Sequence, residues 1–332
     1  MKHANVAIFV PHNGCPHQCS FCNQRSITGR QTQPSPQDVV NAVQIAKESL
    51  LGDTKNAEIA FFGGSFTAIE RSYMISLLDA AAPFVKDGTF AGIRISTRPD
   101  CIDDGILTLL KEYGVTAIEL GAQSMDDRVL QMNKRGHTEK QVELAAGMIK
   151  SHGFTLGLQM MTGLYGDTVQ GSLCTARKLA ALYPENMRIY PTIIMRGTEL
   201  GDRYLRGEYQ TLNLEETVQL CAHLLDFFEE QGIKVIRLGL HSSPELERDM
   251  LSGPWHPAFG ELCESARMLR KITGYLQENS LPKGNIVIKV NPKTVSKAAG
   301  QKKCNLAALS QLGYSARILP DSGVRENCFT IE

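Results

Sequence analysis

The sequence predicts an α/β fold in which parallel strands alternate with helices and close into a full or partial barrel. Apolar, β-rich runs alternate with amphipathic helical patterns from the N-terminus to about residue 240. Strand, helix, strand at this spacing is typical of parallel βαβ units, and six can be counted. In barrels of this kind the chemistry lies on the loops that follow the strands.

The individual elements follow from these two periodicities. The strand candidates are Val6 to Val10, Ile59 to Phe62, Ile93 to Thr97, Ala117 to Leu120, Thr155 to Met161 and Arg188 to Pro191. The amphipathic segments between them are Pro36 to Leu51, Ser72 to Phe84, Asp103 to Tyr113, Thr138 to His152 and Ser172 to Leu182. A long helical stretch, Asn213 to Gln231, leads to a further strand candidate, Lys234 to His241.

The last ninety residues have a different organisation. A polar, proline-containing segment through Pro257 precedes a helix over Phe259 to Glu278, and Asn279 to Gly284 reads as a linker. A short pattern of strand, helix, turn, helix and strand follows over 285–320. We therefore expect a barrel over 1–240, a helical extension and linker over 241–283, and a small α/β module over 284–332.

Composition limits the partners and the compartment. The chain has 332 residues with 35 Lys plus Arg and 35 Asp plus Glu, so no global charge attracts nucleic acid or anionic lipid. The apolar run at the N-terminus is too short for a signal peptide, and no stretch has the length of a membrane span. Nine cysteines, an odd number, argue for reduced thiols. The expected location is the cytoplasm.

Three of the cysteines are crowded into eight residues after the first predicted strand. Cys15, Cys19 and Cys22 are separated by three and then two residues. Three thiolates so close on one loop can bind three irons of a cubane cluster and leave the fourth iron open for another ligand. A zinc site completed by His12 or His17 is the alternative, although structural zinc sites prefer four ligands in two separated pairs.

This loop, including the aromatic Phe21 before the third cysteine, resembles the signature of the radical S-adenosylmethionine (SAM) superfamily. The resemblance implies a partial (βα)6 barrel, a 4Fe-4S cluster held by Cys15, Cys19 and Cys22, and SAM bound to the open iron. An electron from the cluster would cleave SAM to a 5'-deoxyadenosyl radical while the protein holds cofactor and substrate. Phe21 would then lie near the adenine.

Two later strand ends carry further candidate SAM contacts. Gly63, Gly64 and Ser65 close the second strand, and the matching glycines in radical SAM proteins contact the SAM amino group. Read without the resemblance, they form an ordinary strand-to-helix turn. Ser96 and Arg98 end the third strand, where they could reach a ribose or a carboxylate. Helix capping by Asp100 or Asp103 is the alternative there.

The fourth strand end resembles oxygen-independent coproporphyrinogen oxidases. In that family a glutamine and an arginine at this separation bind SAM, which implies the same role for Gln123 and Arg135; a guanidinium is a rigid bidentate partner for the methionyl carboxylate. Arg135 as a solvated helix-end charge is the alternative. That family has acidic residues near Ser96 and Gln159, and neither position is acidic here. A porphyrinogen substrate is therefore disfavoured.

The motif set over about residues 1 to 270 looks most like the radical SAM domain of the Elongator catalytic subunit, which modifies the wobble uridine of tRNA. The motifs are Ser96 to Asp100, Gly121 to Ser124, Arg135 to His137, Arg188 to Thr192, Arg196 to Leu200 and Arg206 to Tyr209. That subunit has a longer insertion among its cluster cysteines and continues into an acetyltransferase domain for which this chain is too short. The same carboxymethylation is therefore not expected, but RNA, and first of all tRNA, is the expected substrate.

The C-terminal module resembles the KH domains of bacterial NusA. KH folds hold single-stranded RNA through a GxxG loop between two helices. The loop here reads Gly300, Gln301, Lys302 and Lys303, without the second glycine, and Lys297 precedes it. No acidic residue lies between 285 and 320, so we expect a locally basic, RNA-binding surface. A lid or docking module that does not bind RNA is the alternative.

Tyr190, Arg237 and His241 fall at or after late strands and are candidate substrate-side residues. The leading hypothesis is an RNA-modifying radical SAM transferase supplied with electrons by a flavodoxin or ferredoxin. An oxygen-independent small-molecule oxidase or decarboxylase, and a cluster-bearing RNA-binding or sensor protein without turnover, are the alternatives.

Overall fold

A computed structural model describes residues 4–11, 15, 18–23, 32–51 and 53–332. The chain forms two compact units. Unit 1 comprises Met1–Leu212 and Gln231–Pro254, and unit 2 comprises Asn213–Glu230 and Trp255–Glu332. No helix within the described ranges combines the length and the apolar character that a membrane span requires.

Unit 1 is built on a seven-stranded sheet in which every neighbouring pair is parallel. Its strands, in both chain and sheet order, are β1 (Ala4–Val10), β2 (Ala57–Gly63), β3 (Gly92–Thr97), β4 (Val115–Gln123), β5 (Thr155–Thr162), β6 (Asn186–Pro191) and β8 (Lys234–Leu238). The sheet curls into a half-barrel, as the sequence predicts. Because the strands are parallel, their carboxyl ends meet at one edge.

Helices follow most strands of unit 1. They are α1 (Pro36–Ser49), α2 (Arg71–Lys86), α3 (Asp104–Glu112), α4 (Asp127–Met132), α5 (Glu139–Ser151), α6 (Val169–Ala180), α7 (Glu199–Leu205) and α9 (Pro244–Asp249). Their starts are set by local chemistry: Ser35 and Asp38 form a reciprocal capping box at α1, and Thr138 and Gln141 do so at α5. Asp103 caps α3 through the amide of Ile106.

The concave face of the sheet carries buried charges in place of an all-aliphatic core. Glu119 on β4 accepts from Arg94 on β3 at 3.2 Å and from Arg188 on β6 at 2.9 Å. Glu58 on β2 accepts from Arg94 at 2.7 Å. The Arg188 guanidinium lies 4.7 Å from the ring centre of Phe62 on β2, a strand four places away in the sheet. The curl therefore encloses a polar interior in which two acids and two arginines pair.

Several short elements escape the sequence prediction. Ile194–Met195 (β7) and Met250–Ser252 (β9) form a separate antiparallel pair, and α4, α7 and α9 are six or seven residues long. Elements of this length show too few turns or alternations to produce a clear periodicity.

Unit 2 combines two long helices with a three-stranded sheet. Its elements are α8 (Leu214–Glu230), α10 (Phe259–Glu278), β10 (Gly284–Val290), α11 (Val295–Ala299), α12 (Cys304–Gln311), β11 (Tyr314–Pro320) and β12 (Phe329–Ile331). β10 lies in the centre, parallel to β11 and antiparallel to β12. Its core includes Ile272, Leu276, Ile288, Val290 and Leu309. The order of strand, helix, loop, helix and strand agrees with the pattern in the sequence.

The sequence predicts boundaries at 240 and 283, whereas the two compact units are divided after Leu212, Glu230 and Pro254. Helix α8 packs against α10 of unit 2, and Asp226 on α8 pairs with Arg267 and Arg270 on α10. The extension predicted over 241–283 is divided after Pro254.

Candidate active site

The carboxyl ends of β1 and β2 approach each other through backbone alone. The amide of Gly64 donates to the carbonyl of Val10 at 2.9 Å. Gly63 has a φ of +115°, and a Cβ there would lie 2.8 Å from the same carbonyl oxygen. Glycine is therefore required at Gly63 by close packing as well as by the backbone angle.

The three clustered cysteines lie on the loop after β1 with different exposure. Cys19 is buried, and its Sγ accepts a hydrogen bond from Arg135 Nη1 at 3.0 Å. The residue Cys15 is exposed as a whole, while its sulfur faces the Ser65 amide. Partial burial and the neighbouring Cys19 raise the pKa of the Cys15 thiol. The Ser65 amide, Arg98 and Arg135 lower this pKa, but by less. The amide of Cys22 donates to the carbonyl of Cys19 at 3.1 Å.

Within the described residues, no three His, Cys, Asp or Glu side chains are placed so that they could hold a metal ion together. None of the nine cysteines forms a disulfide. The zinc alternative required His12 or His17, and both lie outside the described residues.

The loop is fixed to the barrel by contacts that the sequence did not reveal. Ser20 donates through its amide to Asn133 O at 3.1 Å and through its hydroxyl to Asn133 Oδ1 at 2.9 Å. The amide of Leu200 donates to Ser20 O at 2.8 Å. Phe21 packs against the apolar cluster that contains Leu200 and Tyr209. A serine and an asparagine 113 residues apart give no sequence signal of their pairing.

Buried hydroxyls connect the ends of β2 and β3. Ser65 Oγ lies 2.8 Å from Thr97 Oγ1, which lies 2.6 Å from Thr67 Oγ1. The Arg98 amide donates to Ser65 Oγ at 3.3 Å. On β3, the hydroxyl of Ser96 donates to Glu119 at 3.4 Å. Ser65 and Ser96 thus both lie at the barrel mouth, and both already have hydrogen-bond partners.

Arg98 is buried, and most of its guanidinium is occupied by protein groups. It makes two 2.9 Å hydrogen bonds to Asp100 and a further one from Nη2 to the carbonyl of Arg135. Burial alone would raise the pKa of Asp100, but these bonds and the charge of Arg98 hold it below its usual value. Its Nη1 has no hydrogen-bond partner in the described structure. The capping alternative falls to Asp103, not Asp100.

Arg135 joins the cysteine loop to the end of β4. Besides its contact with Cys19, its Nη2 donates to the carbonyl of Gly121 at 2.7 Å. The residue is only 6% exposed, so the alternative of a solvated charge is wrong. Gln123 ends β4 in the left-handed region, with a φ of +68°, and its Oε1 accepts from Gln159 Nε2 at 3.1 Å.

His137 is buried behind Arg135. Its Nε2 lies 3.1 Å from the carbonyl of Ala122. Burial and the neighbouring Arg135 lower its pKa to about 4, because both disfavour the imidazolium. His137 is therefore neutral near neutral pH and holds the turn between α4 and α5 against the end of β4.

Tyr190, Arg237 and His241 lie together at the ends of β6 and β8. Arg188 Nη1 donates to the Tyr190 hydroxyl at 3.4 Å, and Arg237 Nε donates to the carbonyl of Gly239 at 2.9 Å. The pKa of His241 is lowered by burial and by Arg237 and Arg188. Tyr190 and Arg237 thus lie beside Arg188 of the charge network, and His241 is exposed next to them.

The loop between α11 and α12 of unit 2 is built from unusual backbone angles. Gly300, Lys302 and Lys303 have φ values of +77°, +51° and +63°, and the side chains of Gln301 and the two lysines are exposed. The position where a GxxG loop has its second glycine is thus a left-handed lysine.

The predicted basic surface is weaker than the sequence window suggested. Lys289 pairs with Glu332 at 2.6 Å, Lys293 with Glu326 at 2.5 Å, and Lys297 with Glu264 at 3.7 Å. These acids lie outside 285–320, and folding brings them back to the lysines. Lys302 and Lys303 remain without an acidic partner among the described residues.

The donor set fits a 4Fe-4S cluster and SAM. Three cysteines lie on one loop and two buried arginines lie beside it, which offset negative charge from thiolates and a bound carboxylate. Arg98 Nη1 and Arg135 Nε are buried without a hydrogen-bond partner in the described structure. Buried donors of this kind are costly unless a ligand completes them.

Comparisons with known proteins agree with this arrangement. Residues 9–171 match the Radical SAM superfamily, and residues 184–270 match the Radical SAM C-terminal domain. An uncharacterized protein of Methanocaldococcus jannaschii is 26% identical over 82% of this chain and 84% of its own length. A tRNA uridine(34) acetyltransferase of the same organism is 24% identical over 66% of this chain and 48% of its own.

Human Elongator complex protein 3 is 29% identical over 51% of this chain and 34% of its own. The chain thus spans half or less of these two named relatives. The solved Elp3 of Methanocaldococcus infernus superposes with a TM-score of 0.63 at 19% identity, over 85% of this chain and 65% of that one. Streptococcus suis SuiB bound to S-adenosylmethionine gives 0.51 at 12% identity, over 71% and 50%. With the sequence match and the site at the strand ends, the chain belongs to the radical SAM superfamily of enzymes, whose cofactors are a 4Fe-4S cluster and SAM.

Proposed function

We propose that Cys15, Cys19 and Cys22 hold the 4Fe-4S cluster at the loop after β1 and that SAM binds at the neighbouring strand ends. The main support for this proposal is the position of Arg135, which contacts both Cys19 Sγ and the carbonyl of Gly121 near the carboxyl end of β4. The SAM contacts proposed are Phe21, Gly63, Gly64, Ser65, Ser96, Arg98, Gln123 and Arg135.

When bound and reduced, the cluster and SAM supply a 5'-deoxyadenosyl radical. The residues of the chain bind and orient the cluster and SAM. Gly63 and Gly64 leave backbone groups accessible at the mouth of the barrel, while Arg135 Nε and Arg98 Nη1 are the unpaired donors suited to the methionyl carboxylate. Gln123 and Gln159 present adjacent amides at the ends of β4 and β5.

The ligand assignment is tested by iron content. We expect each of the variants Cys15→Ala, Cys19→Ala and Cys22→Ala to lose nearly all cluster iron after anaerobic reconstitution. The loop offers three thiolates, and the cluster needs all of them as iron ligands. Cys174→Ala, at an exposed cysteine on α6, is the matched control and should load like the parent. Full iron content in any of the three loop variants would refute the assignment.

The substrate that we propose is RNA, with tRNA first. Two observations support this proposal. The relatives are named tRNA uridine(34) acetyltransferase and Elongator complex protein 3, and unit 2 has an exposed loop with two lysines. Since the chain spans half or less of these relatives, acetyl transfer is not carried over. The proposed reductant is a flavodoxin or ferredoxin. We also propose that the chain is divided at 240 and 283 into a barrel, an extension and a KH-like module.

Nucleoside mass spectrometry tests the substrate directly. Bulk tRNA from a strain lacking the protein should lack one modified nucleoside that the parent contains, and a plasmid copy should restore it. An unchanged nucleoside profile would contradict an RNA substrate and favour a small molecule.

The RNA contact is tested separately by salt-dependent binding. Replacing both Lys302 and Lys303 with Ala should weaken tRNA binding and reduce the salt slope by about two, because each lysine at a phosphate releases about one counterion. Lys289→Ala and Lys293→Ala are controls, since both lysines pair with acids. A slope that does not change would remove this loop from the interface.

A further inference from the structure

The concave face of the half-barrel carries one arginine more than its acids can neutralise. Arg188 on β6 and Arg237 on β8 are register partners on parallel strands, so their side chains point to the same face. Arg94 and Arg188 pair with Glu58 and Glu119 in a neutral group of four. Arg237 lies beside this group.

Arg237 has no carboxylate partner among the described residues. Its Nε donates to the carbonyl of Gly239, and this leaves the two Nη groups. The segments outside the described ranges contain no Asp or Glu in the sequence, so they cannot supply a counter-ion. Burial and the like charge of Arg188 lower the pKa of Arg237, as expected for a cation without compensation. A half-buried charge in this state favours an anionic ligand.

Two further donors surround the same space. The Tyr190 hydroxyl accepts from Arg188 Nη1, so its own hydrogen remains available to donate. His241 lies beside Arg237 and Arg188 and is exposed at the mouth of the barrel. A guanidinium fork, a phenol and an imidazole thus converge at the carboxyl ends of β6 and β8, the edge at which ligands bind in barrels of this type.

We propose that Arg237, Tyr190 and His241 form an oxyanion-binding subsite for a carboxylate or phosphoryl group. Its role as the anchor of the molecule on which the radical acts rests on the proposed function. Arg237 binds the anion through its Nη edge, Tyr190 donates its hydroxyl, and Arg188 stays paired with Glu119 and holds Tyr190 in place.

Calorimetric titration of the cluster-containing protein, without reductant or SAM, tests the subsite. Inorganic phosphate and malonate are the probes, and preference between them separates a phosphoryl from a carboxylate ligand. Arg237→Gln should weaken binding of the preferred anion about tenfold or more, as expected for loss of one charged hydrogen-bond partner. Tyr190→Phe should weaken it less, and Arg237→Lys should restore part of the affinity.

Arg248→Gln is the control, because Arg248 is exposed and pairs with Asp249. Circular dichroism and thermal unfolding verify that each variant is folded. The subsite is overturned if neither anion binds the parent with a Kd below about 10 mM, or if folded Arg237→Gln binds as tightly as the parent. Because this titration needs no SAM cleavage, its failure and the failure of the radical chemistry are distinguishable.

Discussion

Arg135 is the residue on which the proposed cofactor site depends most. Its guanidinium contacts Cys19 Sγ and Gly121 O, while its carbonyl accepts from Arg98. One residue, through its side chain and its carbonyl, therefore connects the cysteine loop, β4 and the turn after β3. A lysine could offer the charge but not the planar fork that reaches two acceptors. The sequence predicted the residue, but not these contacts.

His137 gives the stability of the protein a pH dependence. Its folded pKa of about 4 lies below the ordinary 6.5, so the unfolded chain binds more protons between these values. The free energy of unfolding should therefore fall as the pH decreases, by about 1 to 3 kcal/mol from this residue. Urea denaturation between about pH 7 and pH 5 measures the slope.

The His137→Gln variant should have a shallower slope than the parent over the same range. His223→Gln, at an exposed position on α8, should keep the parental slope. Equal slopes for parent and His137→Gln would show that His137 titrates normally.

A comparison of Gly63 with Gly88 distinguishes the cost of steric overlap from the cost of backbone strain. A Cβ at Gly63 would meet the Val10 carbonyl at 2.8 Å, whereas one at Gly88 would meet nothing within 4 Å although its φ is +75°. Gly88→Ala should cost about 1 to 2 kcal/mol from strain, and Gly63→Ala about 1 to 3 kcal/mol more from overlap. Chemical denaturation of both variants tests this, and equal losses would contradict the close approach of β1 and β2.

At the scale of elements, the strands of the barrel were predictable because their apolar runs are long and separated by clear helices. The end of β4 was not. The sequence predicted that the strand ends at Leu120, because Gly121 and a buried polar residue interrupt the apolar pattern. In the structure the strand continues to Gln123. Those three residues carry the Arg135 contact and the left-handed Gln123. The interruption of the pattern thus coincides with the site.

Asn305 on α12 joins this helix to α10 and α11 of unit 2. Its Nδ2 lies within 3.0 to 3.2 Å of the Ser265 carbonyl and hydroxyl and of the carbonyls of Lys297 and Ala298. Asn305→Ala should lower the free energy of unfolding by about 2 to 3 kcal/mol, because buried acceptors on α10 and α11 lose their donor. Asn285→Ala, at an exposed position on β10, should change it by less than about 0.5 kcal/mol. Similar losses in a denaturant titration would refute this role.

At the scale of the whole molecule, charge is the property that the sequence described least well. Equal numbers of acidic and basic residues predicted no global field and left the local distribution of charge open. Folding gathers Glu58, Arg94, Glu119, Arg188 and Arg237 on one face of the sheet. A sequence signal existed, since each of β2, β3, β4 and β6 has a single charged residue between two apolar neighbours. Conversely, the lysines of unit 2 looked basic in their own window and are partly neutralised by acids from α10 and the C-terminal tail.

We propose above all that this chain positions SAM for reductive cleavage at the cysteine loop. The most direct measurement incubates anaerobically reconstituted, dithionite-reduced protein with SAM and quantifies the products by mass spectrometry. We expect release of 5'-deoxyadenosine and methionine in equal amounts, and loss of both with Cys19→Ala. Protein that carries about four irons per chain, and that is reduced but releases neither product, would contradict it.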